Sequence, residues 1–193
     1  MKVTIIGIGS WGLAIGMVLQ SKGHEVHFWG RNQDKIAQLQ RDNQSPLLPS
    51  VQLSSSFSYH SDLSQATQDT SLICVVLPSS AIRDIASQLN KVEVNAHTKL
   101  VSFTKGIERD THKRMTEILV EDISWLKSSH CGVLSGPSHA EEVARLVPTS
   151  VVVAFNNLSI ATDIQEVFFT EHFRVYTSDD VMGVELCGAL KNI

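Results

Sequence analysis

Short apolar runs alternate with amphipathic stretches along the whole chain. Residues 3–6 are a β-branched run, and a helical stretch follows from about Ser10 to Ser21. The turn at Lys22-Gly23 introduces a second strand, residues 25–29. Residues 34–41 are polar, with Ile36 and Leu39 at inward positions, so a surface helix is predicted there. Residues 43–71 are loose and rich in serine, with Pro46 and Pro49. They predict turns, a weak strand near residues 51–53 and one short helix after Ser61. Residues 72–77 are apolar throughout, as a central parallel strand covered on both faces should be. Pro78 ends that run, and Ser79 or Ser80 is placed to cap a helix reaching about Leu89. Residues 100–103, 132–135, 150–154 and 173–176 read as further strands. Residues 111–119, a short piece through 141–144, and residues 159–168 read as the helices between them. The repeated alternation predicts an α/β chain with a doubly wound, mostly parallel sheet and right-handed crossovers.

A last helix starts near Ser178 or Asp179 and runs to the end of the chain. Val181, Val184, Leu186, Cys187, Leu190 and Ile193 give it an apolar surface, and no Gly or Pro follows as a stop. Residues 1–178 are therefore expected to form one domain. Residues 179–193 are expected to begin a second, helical domain that this chain does not complete. A terminal helix that frays is the plain alternative.

Composition narrows the function classes. A chain of 193 residues with 42% hydrophobic and 19% charged residues can bury a core. The formal charge of −4 gives no reason to expect nucleic acid or a membrane surface as partner. No apolar run approaches the ~18 residues that span a bilayer, and the N-terminus lacks the pattern of a signal peptide. Cys74, Cys131 and Cys187 are odd in number and far apart, which reads as a reducing cytoplasm. The thiols of Cys131 and Cys187 are expected to be packed rather than nucleophilic. The eight histidines show no ligand spacing, so no metal is expected.

Chemistry enters at Gly7-Ile8-Gly9-Ser10-Trp11-Gly12, which follows the first strand and opens a helix. Gly7 would permit a tight turn. Gly9 would let a pyrophosphate approach the backbone, and Gly12 would let helix and strand pack closely. The free N–H groups of the helix start would then face the phosphates. This placement points to a Rossmann-like dinucleotide site; glycines used for packing alone are the alternative. An NAD site usually carries a carboxylate roughly 20 residues further on. Here that region reads Trp29-Gly30-Arg31-Asn32, with no carboxylate before Asp34. Arg31 would suit a 2′-phosphate, which leans the cofactor toward NADP over NAD, unless it is simply an exposed arginine.

Three later segments also follow predicted strands: Pro78-Ser79-Ser80, the run from Thr104 to Glu108, and the run from Ser135 to Glu142. Lys105 could reach a ligand phosphate or carbonyl, or be a solvated lysine. Ser138 sits where a helix begins and could be a cap or a ligand. His139 could line a pocket and is not expected to be catalytic. In the last helix, Gly183, Cys187 and Lys191 share one face. Two small residues beneath a lysine suggest room for something bulky, with Asn192 alongside. A buried lysine could act as acid or base near neutrality.

Taken together, these blocks resemble the bacterial type of NAD(P)-dependent glycerol-3-phosphate dehydrogenase. The resemblance runs over essentially the whole chain. It rests on the glycine turn, Trp29-Gly30-Arg31, Lys105-Gly106-Ile107-Glu108 and Ser135-Gly136-Pro137-Ser138. It also rests on Gly183-Val184-Glu185-Leu186 and Gly188-Ala189-Leu190-Lys191-Asn192. The resemblance implies a cytoplasmic enzyme that interconverts dihydroxyacetone phosphate and sn-glycerol 3-phosphate for glycerophospholipid synthesis. It implies that Ser10, Trp11, Arg31, Lys105 and Ala140 meet the dinucleotide, beside Gly7, Gly9 and Gly12 of the turn read above. It assigns Lys105, Gly136, Ser138 and Lys191 to the substrate, and Lys191 to proton transfer. It further implies an all-helical domain holding an arginine for the substrate phosphate, so these 193 residues alone are expected to lack turnover. A homodimer of the full-length protein stays open. Ile8, His139 and Cys187 depart from the family's usual Ala, apolar aromatic and Gly. Two other readings remain: a dehydrogenase of 3-hydroxy acids with a related nucleotide domain, and an NADPH-sensing module without chemistry.

Overall fold

The computed structural model describes residues 1–49 and 51–191. Asn192 and Ile193, both named above, lie outside the described residues. Eight strands form one sheet: β1 (Lys2–Ile6), β2 (Glu25–Trp29), β3 (Ser58–His60), β4 (Leu72–Val75), β5 (Lys99–Ser102), β6 (Cys131–Ser135), β7 (Thr149–Phe155) and β8 (Phe173–Ser178). Their spatial order is β3-β2-β1-β4-β5-β6-β7-β8. Every neighbouring pair is parallel except β6 with β7. The helices are α1 (Ser10–Ser21), α2 (Gln33–Asp42), α3 (Leu63–Thr67), α4 (Ile82–Leu89), α5 (Met115–Asp122), α6 (Ala140–Ala144), α7 (Leu158–Phe168) and α8 (Val181–Leu190). This is the doubly wound, Rossmann-like arrangement that the alternation predicts.

Strand alternation builds the two layers. In β4, Leu72 and Cys74 join the core beneath α1 and α7, while Ile73 and Val75 join the core beneath α4 and α5. Val133 and Ala154 meet Val181 on the second face, so α8 extends the α4–α5 layer over β6 and β7. At Gly16, a Cβ would lie 2.3 Å from the Phe28 ring, so only glycine lets α1 sit this close to β2. Side-chain caps start several helices: Asn32 accepts from Lys35 N–H, Asp62 from Gln65 N–H and Asp180 from Gly183 N–H.

Three expectations are corrected. Residues 51–53 form no strand. Val51 and Leu53 are buried in irregular backbone, and the paired strand is β3, which adds to β2 at the sheet edge. Helix α5 begins at Met115, four residues later than predicted. His112 adopts φ +57° and Ile107 bridges to Arg114, so residues 107–114 close a loop before the helix can start. Neither Ser79 nor Ser80 caps α4 by its side chain; a 3₁₀ turn, Ser79–Ala81, leads into it. Strands β7 and β8 run against the other six, which a mostly parallel sheet allows and the pattern does not show, because an apolar run does not reveal its direction. Among the described residues no helix is long and apolar enough to cross a membrane.

Candidate active site

The chain leaves β1 toward β2 and returns to β4 on the other side, so the winding direction reverses between β1 and β4. Ligands of open α/β sheets bind at such a point, beyond the carboxyl ends of the strands. A cleft of about 410 Å³ opens there. Ile6, Val75 and Ser102 lie level across β1, β4 and β5, so the loops that follow all reach this edge.

The first wall is backbone. Gly7 has φ +127°, and a Cβ would sit 2.2 Å from the Val76 carbonyl oxygen. At Gly12 a Cβ would be 2.3 Å from the Gly7 carbonyl oxygen. At Gly9 it would meet nothing within 4 Å. Two glycines therefore close the turn on the sheet, and the third faces open space where a ligand's phosphates would lie. Gly9 supplies no capping side chain, and the first turn of α1 holds no carboxylate. Its leading N–H groups are thus directed at the cleft with no anion of the chain's own against them. This cradle fits the pyrophosphate of a dinucleotide. Trp11 closes the inner side, edge-on to Phe103 with ring centroids 6.4 Å apart.

The second wall carries charge. Lys105 Nζ donates to the Gly136 carbonyl at 3.2 Å, and Lys191 Nζ to the Ser138 carbonyl at 3.5 Å. Burial pushes Lys105 down to about 8, and the neighbouring Lys191 adds to that. Two ammonium groups beside one cleft raise the cost of charging both. Gly136 packs on β7, where a Cβ would be 2.9 Å from the Ser150 carbonyl oxygen, and this presses the Ser138 loop onto the sheet.

Of the predicted residues, Gly9, Ser10, Trp11, Gly12, Lys105, Ser138 and Ala140 line the cleft. Gly7 and Gly136 act from behind it through backbone packing. Lys191 reaches its rim from α8. Arg31 stands apart: it is exposed at the end of β2, 3.5 Å from an equally exposed Asp84. Ile8 explains its neighbour, because a Cβ at Gly30 would be 2.6 Å from Ile8 Cδ1. His139 lines the cleft and is exposed.

Two expectations about α8 are corrected. Gly183 does not leave room for a ligand. A Cβ there would be 2.1 Å from Asp180 Oδ2, so the helix cap occupies that space. Cys187 is exposed rather than packed, whereas Cys74 and Cys131 are buried and their thiols are pushed up by burial.

Sequence reasoning missed the ionic groups behind the second wall. Arg83 grips Glu108 through two bonds of 2.9 and 3.0 Å, which with Thr111 holds that carboxyl down to about 2. Buried Glu185 receives Arg114 and Thr116. The signals for Glu185 are its place in the Gly183–Leu186 block and its being the lone carboxylate of an apolar helix.

Comparisons with known proteins agree on one family. Residues 2–161 match the family model of the NAD-dependent glycerol-3-phosphate dehydrogenase N-terminus. The chain is 40% identical to glycerol-3-phosphate dehydrogenase [NAD(P)+] of Bacillus pumilus, covering 100% of this chain and 56% of that protein. It is 41% identical to the enzyme of the same name from Enterococcus faecalis, with the same two shares covered. The crystal structure of glycerol-3-phosphate dehydrogenase from Coxiella burnetii superposes with a TM-score of 0.90 at 31% identity, over 99% of this chain and 57% of that one. The chain thus spans little more than half the length of the relatives it matches.

Proposed function

Because the chain belongs to the NAD-dependent glycerol-3-phosphate dehydrogenase N-terminal family, we propose that it is the nucleotide-binding part of a cytoplasmic enzyme. That enzyme interconverts dihydroxyacetone phosphate and sn-glycerol 3-phosphate with NAD(P)H. The division at residue 178, between nucleotide domain and the start of a helical substrate domain, belongs to the same proposal. One observation carries it: Lys105 and Lys191 converge on the loop of Gly136 and Ser138, at a cleft floored by the open N-terminus of α1.

Gly7, Gly9, Ser10, Trp11, Gly12 and Ala140 would hold the dinucleotide, with Arg31 at the adenosine end. When bound, the reduced nicotinamide supplies hydride. The chain's own residues handle charge and proton. As the ketone carbon of dihydroxyacetone phosphate is reduced, its carbonyl π pair moves onto oxygen. An ammonium at Lys191 stabilises that oxygen and donates the proton that makes the hydroxyl. Lys105, Gly136 and Ser138 orient the substrate. Written in reverse, neutral Lys191 accepts the hydroxyl proton of glycerol 3-phosphate.

The family match supports this reading over a 3-hydroxy acid substrate or a module without chemistry. The test is turnover by the intact protein on a panel of dihydroxyacetone phosphate and 3-keto acids, with binding of NADPH and NADH followed by Trp11 fluorescence. Reduction of dihydroxyacetone phosphate alone is expected. Turnover of a 3-keto acid instead, or cofactor binding with no turnover, would overturn the proposal.

A further inference from the structure

Glu185 is the one carboxylate of α8, and it is buried at 6% exposure. Three donors converge on it. Thr116 N–H lies 2.9 Å from Oε1; Arg114 Nη1 and Thr116 Oγ1 lie 2.8 and 2.5 Å from Oε2. Arg114 has a second task. Its backbone bridges Ile107, and the Glu108 N–H donates to the Lys113 carbonyl at 3.0 Å. Those pairings close the 107–114 loop, which begins two residues after Lys105.

Further along α8, Gly188 meets Ser135 and Lys105. A Cβ there would be 2.5 Å from Ser135 Oγ and 3.9 Å from Lys105 Cγ. Three residues beyond Gly188, Lys191 reaches the Ser138 carbonyl. One helix therefore carries an anchor in the Arg114 pocket, a close contact beside Lys105 and the second lysine, in that order.

We propose that Glu185 is a positioning residue: through Arg114 and Thr116 it locks α8 to the start of α5 and to the 107–114 loop just after Lys105, and so sets Lys191 opposite Lys105. The proposal rests on the assignment of Lys105 and Lys191 in the preceding subsection. The physical argument has two parts. Apolar contact holds a helix on a sheet without fixing its rotation, because it is non-directional. A buried carboxylate with three donors fixes both rotation and height, since any slip strips partners from a desolvated charge. The two lysines also repel each other, and left to themselves they would separate. The Glu185 clasp opposes that separation from the buried face of the helix, one turn before Gly188.

The test uses Glu185→Gln in the intact protein, beside Thr116→Val, which removes one donor and keeps the shape. The Gln amide nitrogen would face Arg114, donor against donor, while its oxygen could still accept from Thr116 N–H. Three quantities are measured: kcat, KM for NADPH, and the pH dependence of Lys105 acylation by acetic anhydride, read by mass spectrometry. Lys191 and His139 are the other titratable groups at this rim and are followed in the same spectra. For E185Q we expect kcat to fall about 10- to 100-fold, the scale of an ångström-sized misplacement, with KM for NADPH changed less than about twofold. Lys105 should titrate higher than about 8, because Lys191 has moved away. T116V should show the same changes at smaller size. A lower melting temperature with unchanged kcat and unchanged Lys105 titration would reduce Glu185 to a structural residue and overturn the proposal. If E185Q does not fold, T116V decides on the same readouts. If the unmutated protein does not reduce dihydroxyacetone phosphate, the functional assignment falls, and the Lys105 titration alone still decides whether Glu185 sets the alignment.

Discussion

The two walls of the cleft are built on opposite principles. The glycine wall works by what is missing. Side-chain atoms at Gly7 and Gly12 would strike carbonyl oxygens at 2.2 and 2.3 Å, and Gly9 leaves open space. Its phosphate cradle is backbone, fixed within six consecutive residues. The lysine wall works by what is present. Lys105, Ser138 and Lys191 are far apart in the chain, and both lysines are held by carbonyls of the Gly136–Ser138 loop. One wall is a local conformation; the other is an assembly. Local conformations resist drift, whereas assemblies fail by small displacements.

The comparison predicts where each wall breaks. Lys191→Ala in the intact protein should cause the largest loss, about 10²- to 10⁴-fold in turnover, with NADPH affinity nearly unchanged. Steady-state kinetics beside a binding titration will show it, and retained turnover would remove Lys191 from the chemistry. Gly7→Ala attacks the other wall. A Cβ against the Val76 carbonyl at φ +127° should cost on the order of 3 kcal/mol, seen as a melting temperature lower by about 6–12 °C. Cofactor binding should fall with it, because turn and phosphate cradle are one object.

Smaller effects sharpen the contrast. Arg31→Asp should weaken NADPH about tenfold and leave NADH largely unaffected, since Arg31 is exposed and bound only loosely to Asp84. Equal losses for both cofactors would mean that Arg31 does not read the 2′-phosphate. The smallest effect is on pH. Lys105 titrates near 8 in the folded protein and near the ordinary lysine value of about 10.4 when unfolded. Between those values the unfolded chain binds more protons, so this group's contribution to stability rises with pH. Lys105→Met should therefore be stabilising at neutral pH, with an advantage that shrinks toward pH 10. Melting curves of both proteins across that range provide the check.

The same contrast explains what could be read from the chain alone. Strands β1, β2 and β4 and helix α1 follow directly from apolar spacing and the glycine turn, because each rests on neighbours in sequence. Residues 51–53 mislead for the opposite reason. Val51 and Leu53 are apolar because the core covers them, not because they pair in a ladder. The late start of α5 depends on the Ile107–Arg114 bridge, which no helix propensity reports. Gly183 suggested space for a ligand, but that space belongs to the Asp180 cap.

The alternating layers, the anion-accepting turn at Gly7–Gly12 and the candidate lysines were legible in the chain, since they depend on periodicity and on residue types that only certain backbones tolerate. Tertiary structure decided which lysines meet, that β7 runs against β6, and that Glu185 and Arg114 stand behind the pair. The reason is range. A hydrophobic pattern says that a face is covered without naming what covers it, and a carboxylate in an apolar helix requires partners without saying which. Only packing brings Thr116 and Glu185, 69 positions apart, within 2.9 Å.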